Sequence, residues 1–396
     1  MEYDPFAPET QADPYPVYRH LRDNAPLYRN ARLDFWAVSR YDDVVAVSRD
    51  WKNFSSSFGV DIDDTGGEFG HGNFLEEDPP LHDLLRAVVR TEFIPKNLKA
   101  ALEPFVRSQV ERIVGDLKTR PAVDFARELA WELPVLVVSR LVGFPPEDRE
   151  RLRQWEETFA LRVPTLPVLP PFATHAGASL RSYFAALVED RRRDPRDDLL
   201  TTIAQAEVDG SPIGGGALGM VFILFVAAIE TTASLITQSL RLLAAHPEQR
   251  EWLRDNLSAV PQAVEEVLRY EAPVQNVKRT TLSDTELLGE VIPERSTVLM
   301  LTGSANRDER RFQDPDDFDV RRDPKRHMAF GEGIHHCIGA PLARLEGQVV
   351  LETVLSEMPD YELVGAPQAL PNNIVRGYLS LPARTNAAAL MAGSPD

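Results

Sequence analysis

Apolar residues recur along this chain at helical spacing more often than they alternate. Val17, Tyr18 and Leu21 mark a helix over residues 14–24, and stretches 41–49, 102–117 and 125–141 keep the same three-to-four-residue rhythm. Pro134 is expected to kink the last of these. Stretch 216–245 is apolar on nearly every side in its first half, which predicts a helix buried from all directions, and 260–270 predicts another. Pro341 suits the first turn of a further helix carrying Leu342, Leu345, Val349 and Val350. Residues 35–39, 286–292 and 297–301 read as short strands. Between them lie a glycine-rich acidic loop at 58–74, expected to be mobile, and a lid at 164–171 with four prolines among apolar residues. Residues 306–318 form another loop. The pattern predicts a mainly α fold with a small β-sheet.

Composition narrows the class. Among 396 residues no low-complexity or Gly/Ser linker interrupts 12–384, so residues 1–396 read as a single domain with short flexible termini at about 1–12 and 385–396. An apolar content of 43% suffices for a packed core, and a net charge of −18 argues against nucleic acid as a partner. Residues 1–13 carry no apolar run of the kind that opens a signal peptide, and the longest apolar run, 218–229, has only twelve residues. No membrane association and a cytoplasmic location are expected.

Chemistry concentrates at a few positions. Cys337, the one cysteine, excludes an internal disulfide and sits in His-Met-Ala-Phe-Gly-Glu-Gly-Ile-His-His-Cys-Ile-Gly, residues 327–339. A helix starting just beyond it would lower the thiol's pKa and offer free amides to the sulfur. The plain alternative is a small buried hydrophobe. A zinc site from His327, His335, His336 and Cys337 fits poorly, since adjacent side chains cannot converge tetrahedrally. His82 and Arg86 share one helical face and can grip an anion, or form an ordinary surface pair. Glu230 places a carboxylate inside an apolar helix, beside Thr231 and Thr232, whose hydroxyls can turn onto preceding carbonyls and bend it. A buried salt bridge is the structural alternative for Glu230. Glu266 and Arg269 stand one turn apart, able to pair.

Segment 327–339 resembles the haem-binding loop of the cytochrome P-450 family, the haem-thiolate monooxygenases of soluble bacterial type, and the resemblance covers nearly all of the chain. It implies haem b (iron protoporphyrin IX) with Cys337 as iron ligand, Phe330 packed beside it and Gly339 completing the loop. His82, Arg86, Arg279 and His335 become propionate partners, and Glu266 and Arg269 a structural pair. Glu230 and Thr231 become the acid–alcohol pair that delivers protons for oxygen activation. Ala228 departs from the family's usual glycine, which would narrow the groove. The resemblance puts Phe222, Val226, Ala227, Val274, Ile374 and Val375 around the substrate, and a final hairpin at 374–381.

The implied reaction inserts one oxygen atom from O2 into an organic substrate, by hydroxylation or epoxidation. Electrons would come from NAD(P)H through a ferredoxin and ferredoxin reductase, docking near Arg107, Arg112, Lys325, Arg326 and Arg344. The apolar lining, with no basic residue, favours a bulky apolar natural product such as a polyketide or terpenoid over a simple carboxylate. If Asp61, Asp63, Asp64 or Glu68 faces inward, the acidic loop would steer a cationic group such as an amino sugar. The alternatives are a peroxide-driven peroxygenase and a non-catalytic haem sensor or electron carrier.

Overall fold

The computed structural model describes residues 2–63, 72–208, 210–213 and 215–385. The helices that build the site are α1 (Tyr41–Arg49), α2 (Leu81–Arg90), α3 (Pro95–Leu117), α4 (Glu132–Val142), α5 (Arg149–Ala160), α6 (Pro171–Arg193), α7 (Gly216–Ala245), α8 (Val260–Tyr270) and α9 (Ala340–Glu357). The thirty residues of α7 run through the centre and pack against α4, α6, α8 and α9. Its length would cross a bilayer, yet Phe222, Phe225, Ile229 and Ile236 are buried against other helices of the same chain.

Strands β1 (Leu27–Asn30), β2 (Phe35–Val38), β3 (Phe54–Ser55), β4 (Val277–Thr281), β5 (Thr285–Leu287), β6 (Glu290–Ile292) and β7 (Thr297–Met300) follow in chain order. A five-stranded sheet has the order β1-β2-β7-β4-β3, with β7 parallel to β2 and the other pairs antiparallel. In it Arg279 stands opposite Val298, which fixes the height at which its side chain leaves β4.

Several expectations are corrected. The helix expected over 125–141 is interrupted one turn before Pro134: the chain makes a π-type turn over Ala126–Ala130, Trp131 keeps helical backbone (φ −83°, ψ −26°), and α4 starts at Glu132. Stretch 286–292 is not one strand. Leu288 (φ 53°) and Gly289 (φ 83°) fold it into the β5–β6 hairpin, a two-residue turn with both φ positive.

Residues 374–381 are not a hairpin in themselves; Tyr378–Ser380 pairs with Gln368–Ala369, while Val375 makes a lone bridge to Val274. The Asn372 side chain causes this, its oxygen accepting from the amides of Ile374 (2.8 Å) and Val375 (2.9 Å) and turning the chain.

Residues 2–12 are not a loose tail. Tyr3 is fully buried against the rings of Tyr18 and Phe35, and Arg376 donates to the carbonyls of Gln11 (2.7 Å) and Ala12 (2.9 Å). At the other terminus Thr385 is buried, and 386–396 lie outside the described residues. The lid expected at 164–171 is a loop up to Pro170, with α6 beginning at Pro171 and the Thr165 amide bonded to the Phe6 carbonyl (2.9 Å).

Candidate active site

The loop before α9 forms one wall of a cavity of about 350 Å³. Its shape follows from glycine. Gly331 (φ 69°) and Gly333 (φ 75°) take left-handed backbone, and a Cβ on Gly333 would lie 2.9 Å from the Ser48 carbonyl oxygen. Helix α1 is thereby docked against the loop, with Ser48 Oγ donating to the Glu332 carbonyl at 2.9 Å. The turn closes where the Cys337 amide donates to the Phe330 carbonyl at 2.8 Å.

Cys337 is exposed and is one of the residues that line this cavity. Crowding by protein pushes its thiol pKa up, and the amides of Gly339 and Ala340, with Arg86 and Arg344, pull the other way. The amides at the start of α9 thus lower the thiol's pKa as expected, while desolvation, the larger effect, raises it.

Beside the sulfur lies a cluster of basic and imidazole side chains, some of whose nitrogens lack a partner. His82 is 2% exposed; its Nδ1 meets Asp83 at 2.8 Å, while its Nε2 has no partner among the described residues. His335 Nε2 meets Ser56 Oγ at 3.0 Å, its Nδ1 is likewise unpartnered, and the two imidazoles sit 4.7 Å apart. Burial, then Arg279, His82 and Arg86, push the His335 pKa down to about 2. Arg279 is fully enclosed, and its pKa falls to about 10 through desolvation, against the pull of Asp78. Arg86 gives Nη2 to the His336 carbonyl (2.6 Å). Two guanidiniums, with two imidazoles that each leave one buried ring nitrogen unpartnered, form a cradle for an anionic group.

The zinc reading is not borne out among the described residues, where no group of three or more His, Cys, Asp and Glu could hold a metal ion. His327 instead meets Glu265 at 3.1 Å. Burial raises the Glu265 pKa, but His327 and the paired bonds from Arg344 (2.7 and 2.9 Å) outweigh it and leave it near 2. Arg344 also lies over the Phe330 ring, 4.4 Å from its centroid.

Opposite the cysteine, α7 presents Ala227, Ala228, Glu230 and Thr231 to the same cavity. Thr231 Oγ1 donates to the Ala227 carbonyl at 2.8 Å, the backbone capture expected of a threonine in mid-helix, and α7 stays continuous through it. Glu230 has one buried carboxylate oxygen without a partner, and burial, offset by Arg162 and reinforced by Asp61 and Asp63, pushes its pKa up to about 7. Phe222, Val226, Ala227, Val274, Ile374 and Val375 all line the cavity. The Glu266–Arg269 pair lies elsewhere, fully buried with two 2.7 Å contacts; Arg269 also donates to the Pro315 carbonyl (2.7 Å), and Arg322 reaches Glu266 at 3.1 Å.

Of the acidic loop expected at 58–74, residues 64–71 lie outside the described residues. Asp63 is not solvated: it is fully buried in an ion pair with Arg162, itself bonded to the Phe159 carbonyl (2.8 Å). Asp61 lines the cavity, and Asp64 and Glu68 lie outside the described residues. Basic charge is thus not absent from this region, and Arg162, Glu76 and Glu156 were missed by sequence reasoning. Glu156 gave a usable signal, since it stands three or four residues from Leu152 and Phe159 on the apolar stripe of α5.

Of the expected docking residues, Arg107 meets Glu103 (3.4 Å) and Glu352 (3.1 Å), Lys325 meets Asp323 (2.7 Å), and Arg112 bonds Gln109 (3.3 Å). Lys325 and Arg326 remain exposed.

The cytochrome P450 family model matches residues 185–359. The chain is 38% identical to cytochrome P450 monooxygenase PikC of Streptomyces venezuelae, over 94% of this chain and 91% of that one. It is 32% identical to polyketide biosynthesis cytochrome P450 PksS of Bacillus subtilis, over 96% and 98%. The solved structure of cytochrome P450 CYP109Q5 from Chondromyces apiculatus superimposes with a TM-score of 0.85 at 38% identity, over 97% of this chain and 98% of that one. With a cysteine facing a threonine-bearing helix across one cavity, and relatives this similar over nearly their whole lengths, the chain belongs to the cytochrome P450 family of monooxygenases.

Proposed function

We propose that the protein binds haem b in this cavity and uses O2 to hydroxylate or epoxidise a largely apolar natural product. One observation carries the reading: Cys337, with the amides of Gly339 and Ala340 turned to its sulfur, shares a cavity with Glu230 and Thr231 on the opposite wall. The residues present fit the cofactor, because the desolvated guanidiniums of Arg86 and Arg279 supply positive charge, and His82 Nε2 and His335 Nδ1 are buried without a partner, where two propionates would be held. Cys337 would hold the iron, and Phe330 would pack beside the sulfur.

Bound there, the haem supplies oxygen activation, favoured by electron donation from the thiolate. The chain's own part is to place substrate and protons. Thr231 lines the cavity with its Oγ1 bonded to the Ala227 carbonyl, and breaking that bond frees the hydroxyl to accept and pass a proton. Glu230, with a pKa near 7, is poised to exchange protons at neutral pH. Phe222, Val226, Val274, Ile374 and Val375 exclude water around the reacting carbon.

Two electrons and two protons per O2 balance the insertion with water as second product. We assign their supply to NAD(P)H through a ferredoxin and its reductase, with exposed Lys325 and Arg326 as docking charge, in the cytoplasm. The polyketide role in the name of PksS supports a natural product of that kind as substrate.

The test is the absorbance of the reduced, CO-treated holoprotein. A red-shifted thiolate-type band, lost in Cys337→Ala, is expected; a spectrum like that of a histidine-ligated globin overturns the assignment.

A further inference from the structure

The carboxylate of Glu265, on α8, holds two side chains that flank the Phe330 ring. It accepts from Arg344 Nε at 2.7 Å and Nη2 at 2.9 Å, a fork that fixes the guanidinium plane, and it meets His327 Nε2 at 3.1 Å. The His327 tautomer follows from its other nitrogen: Nδ1 accepts from the Ala329 amide at 3.2 Å, so the ring proton sits on Nε2 and is donated to Glu265. Held this way, Arg344 lies 4.4 Å from the Phe330 centroid and the His327 ring 5.9 Å from it. The Phe330 carbonyl takes the Cys337 amide at 2.8 Å, so ring and sulfur belong to one turn.

Arg344, an expected docking charge, is thus committed within the chain. Two cations pull the Cys337 thiol's pKa down, Arg86 and Arg344. Arg86 is held by a neutral acceptor, the His336 carbonyl, whereas Arg344 is held by a carboxylate that stays ionised. A tie between α8 and α9 needs no such placement, since an ion pair anywhere along their contact would serve. Here the cation lies over the ring beside the sulfur, and the carboxylate offsets part of its field. We propose that Glu265 is a positioning residue for the Cys337 thiolate: by holding Arg344 over Phe330 and offsetting its charge, it sets how much electron density the sulfur donates to the haem iron. Removing the carboxylate leaves the Arg344 charge unopposed, which weakens donation and favours reduced iron. Removing the guanidinium leaves the Glu265 charge unopposed and favours oxidised iron. This assignment rests on the reading of Cys337 as the haem ligand.

The experiment measures the reduction potential of the holoprotein, and the absorbance of its reduced, CO-treated form, in wild type, Glu265→Gln, Arg344→Gln and the double variant. Expected are shifts of opposite sign, up in Glu265→Gln and down in Arg344→Gln, with the double variant returning towards wild type. Each shift should reach about tenfold in the ferric-to-ferrous ratio at a fixed potential, equivalent to about 59 mV for one electron. A pair that only fastens two helices lowers stability in both single variants and leaves the potential where it was. Unmoved potentials, shifts of the same sign in the two single variants, or a double variant no closer to wild type than they are overturn the proposal. Arg344→Lys covers the case in which the neutral variants do not retain haem. Lysine keeps the charge but loses the fork and the stacked plane, so the potential should fall, and an unchanged one overturns the proposal. A wild type without a thiolate-type CO band overturns the haem reading and this assignment with it; the band with an unmoved potential overturns this assignment alone.

Discussion

Glu266 and Arg269, one turn apart on α8, meet through two parallel 2.7 Å contacts with neither side chain exposed. Arg269 in turn ties down the carbonyls of Asn306, Pro315 and Asp317 in the loop that leads to Cys337. Glu266→Ala leaves Arg269 buried and unpaired and also releases Arg322, at a cost of roughly 3–5 kcal/mol. Soluble yield and haem content per polypeptide are expected to fall together; normal expression with full haem content would show that the pair does not anchor the loop.

Thr231→Ala removes a hydroxyl but no helix hydrogen bond, since the Ala227 carbonyl keeps its backbone donor. Haem and substrate binding are expected to persist while proton delivery is misdirected, so peroxide rises and product per NAD(P)H falls several-fold, on the order of 10. Unchanged coupling would reduce Thr231 to a helix-bending residue.

The Glu76 carboxyl titrates near 7 because of burial and then Asp61, against an ordinary value of 4.5. The folded state therefore binds more protons than the unfolded one between those values, and stability falls as pH rises through that window, by up to about 3 kcal/mol. Glu76→Gln lacks this loss. Urea unfolding between pH 5 and pH 8 should show the variant gaining on the wild type as pH rises, then levelling above 7; a constant difference would place the Glu76 carboxylate in water.

Gly333→Ala forces a Cβ to 2.9 Å from the Ser48 carbonyl at a φ of 75°. The strain, about 1–3 kcal/mol, is stored in the loop that shapes the cysteine. Faster haem loss at a nearly unchanged fold, followed by haem transfer to an acceptor protein, is the expected outcome; wild-type retention would mean the loop yields freely.

Long elements were legible in the sequence and long-range polar partners were not. The ends of α1, α7 and α8 fall where the apolar periodicity begins and ceases, because burial of a continuous stripe and flanking breakers decide them. The Leu288–Gly289 turn and the π-type turn at Ala126–Ala130 escaped, since backbone conformation over two and five residues outvotes a favourable strand or helix pattern. The candidate site was legible in its cysteine loop and in Glu230 and Thr231, where unusual residues sit in otherwise uniform surroundings. Arg162 was not, because its partner Asp63 lies 99 positions away and nothing local marks either as buried.

The single bridge between Val274 and Val375 joins two segments of the cavity wall that are distant in sequence. A bulkier side chain at one valine shifts the strand that carries the other, so substitutions at the two positions will not contribute independently to ligand preference. Laboratory evolution of a new selectivity should therefore randomise both codons together, since a one-position-at-a-time walk would discard first steps that become favourable only in combination.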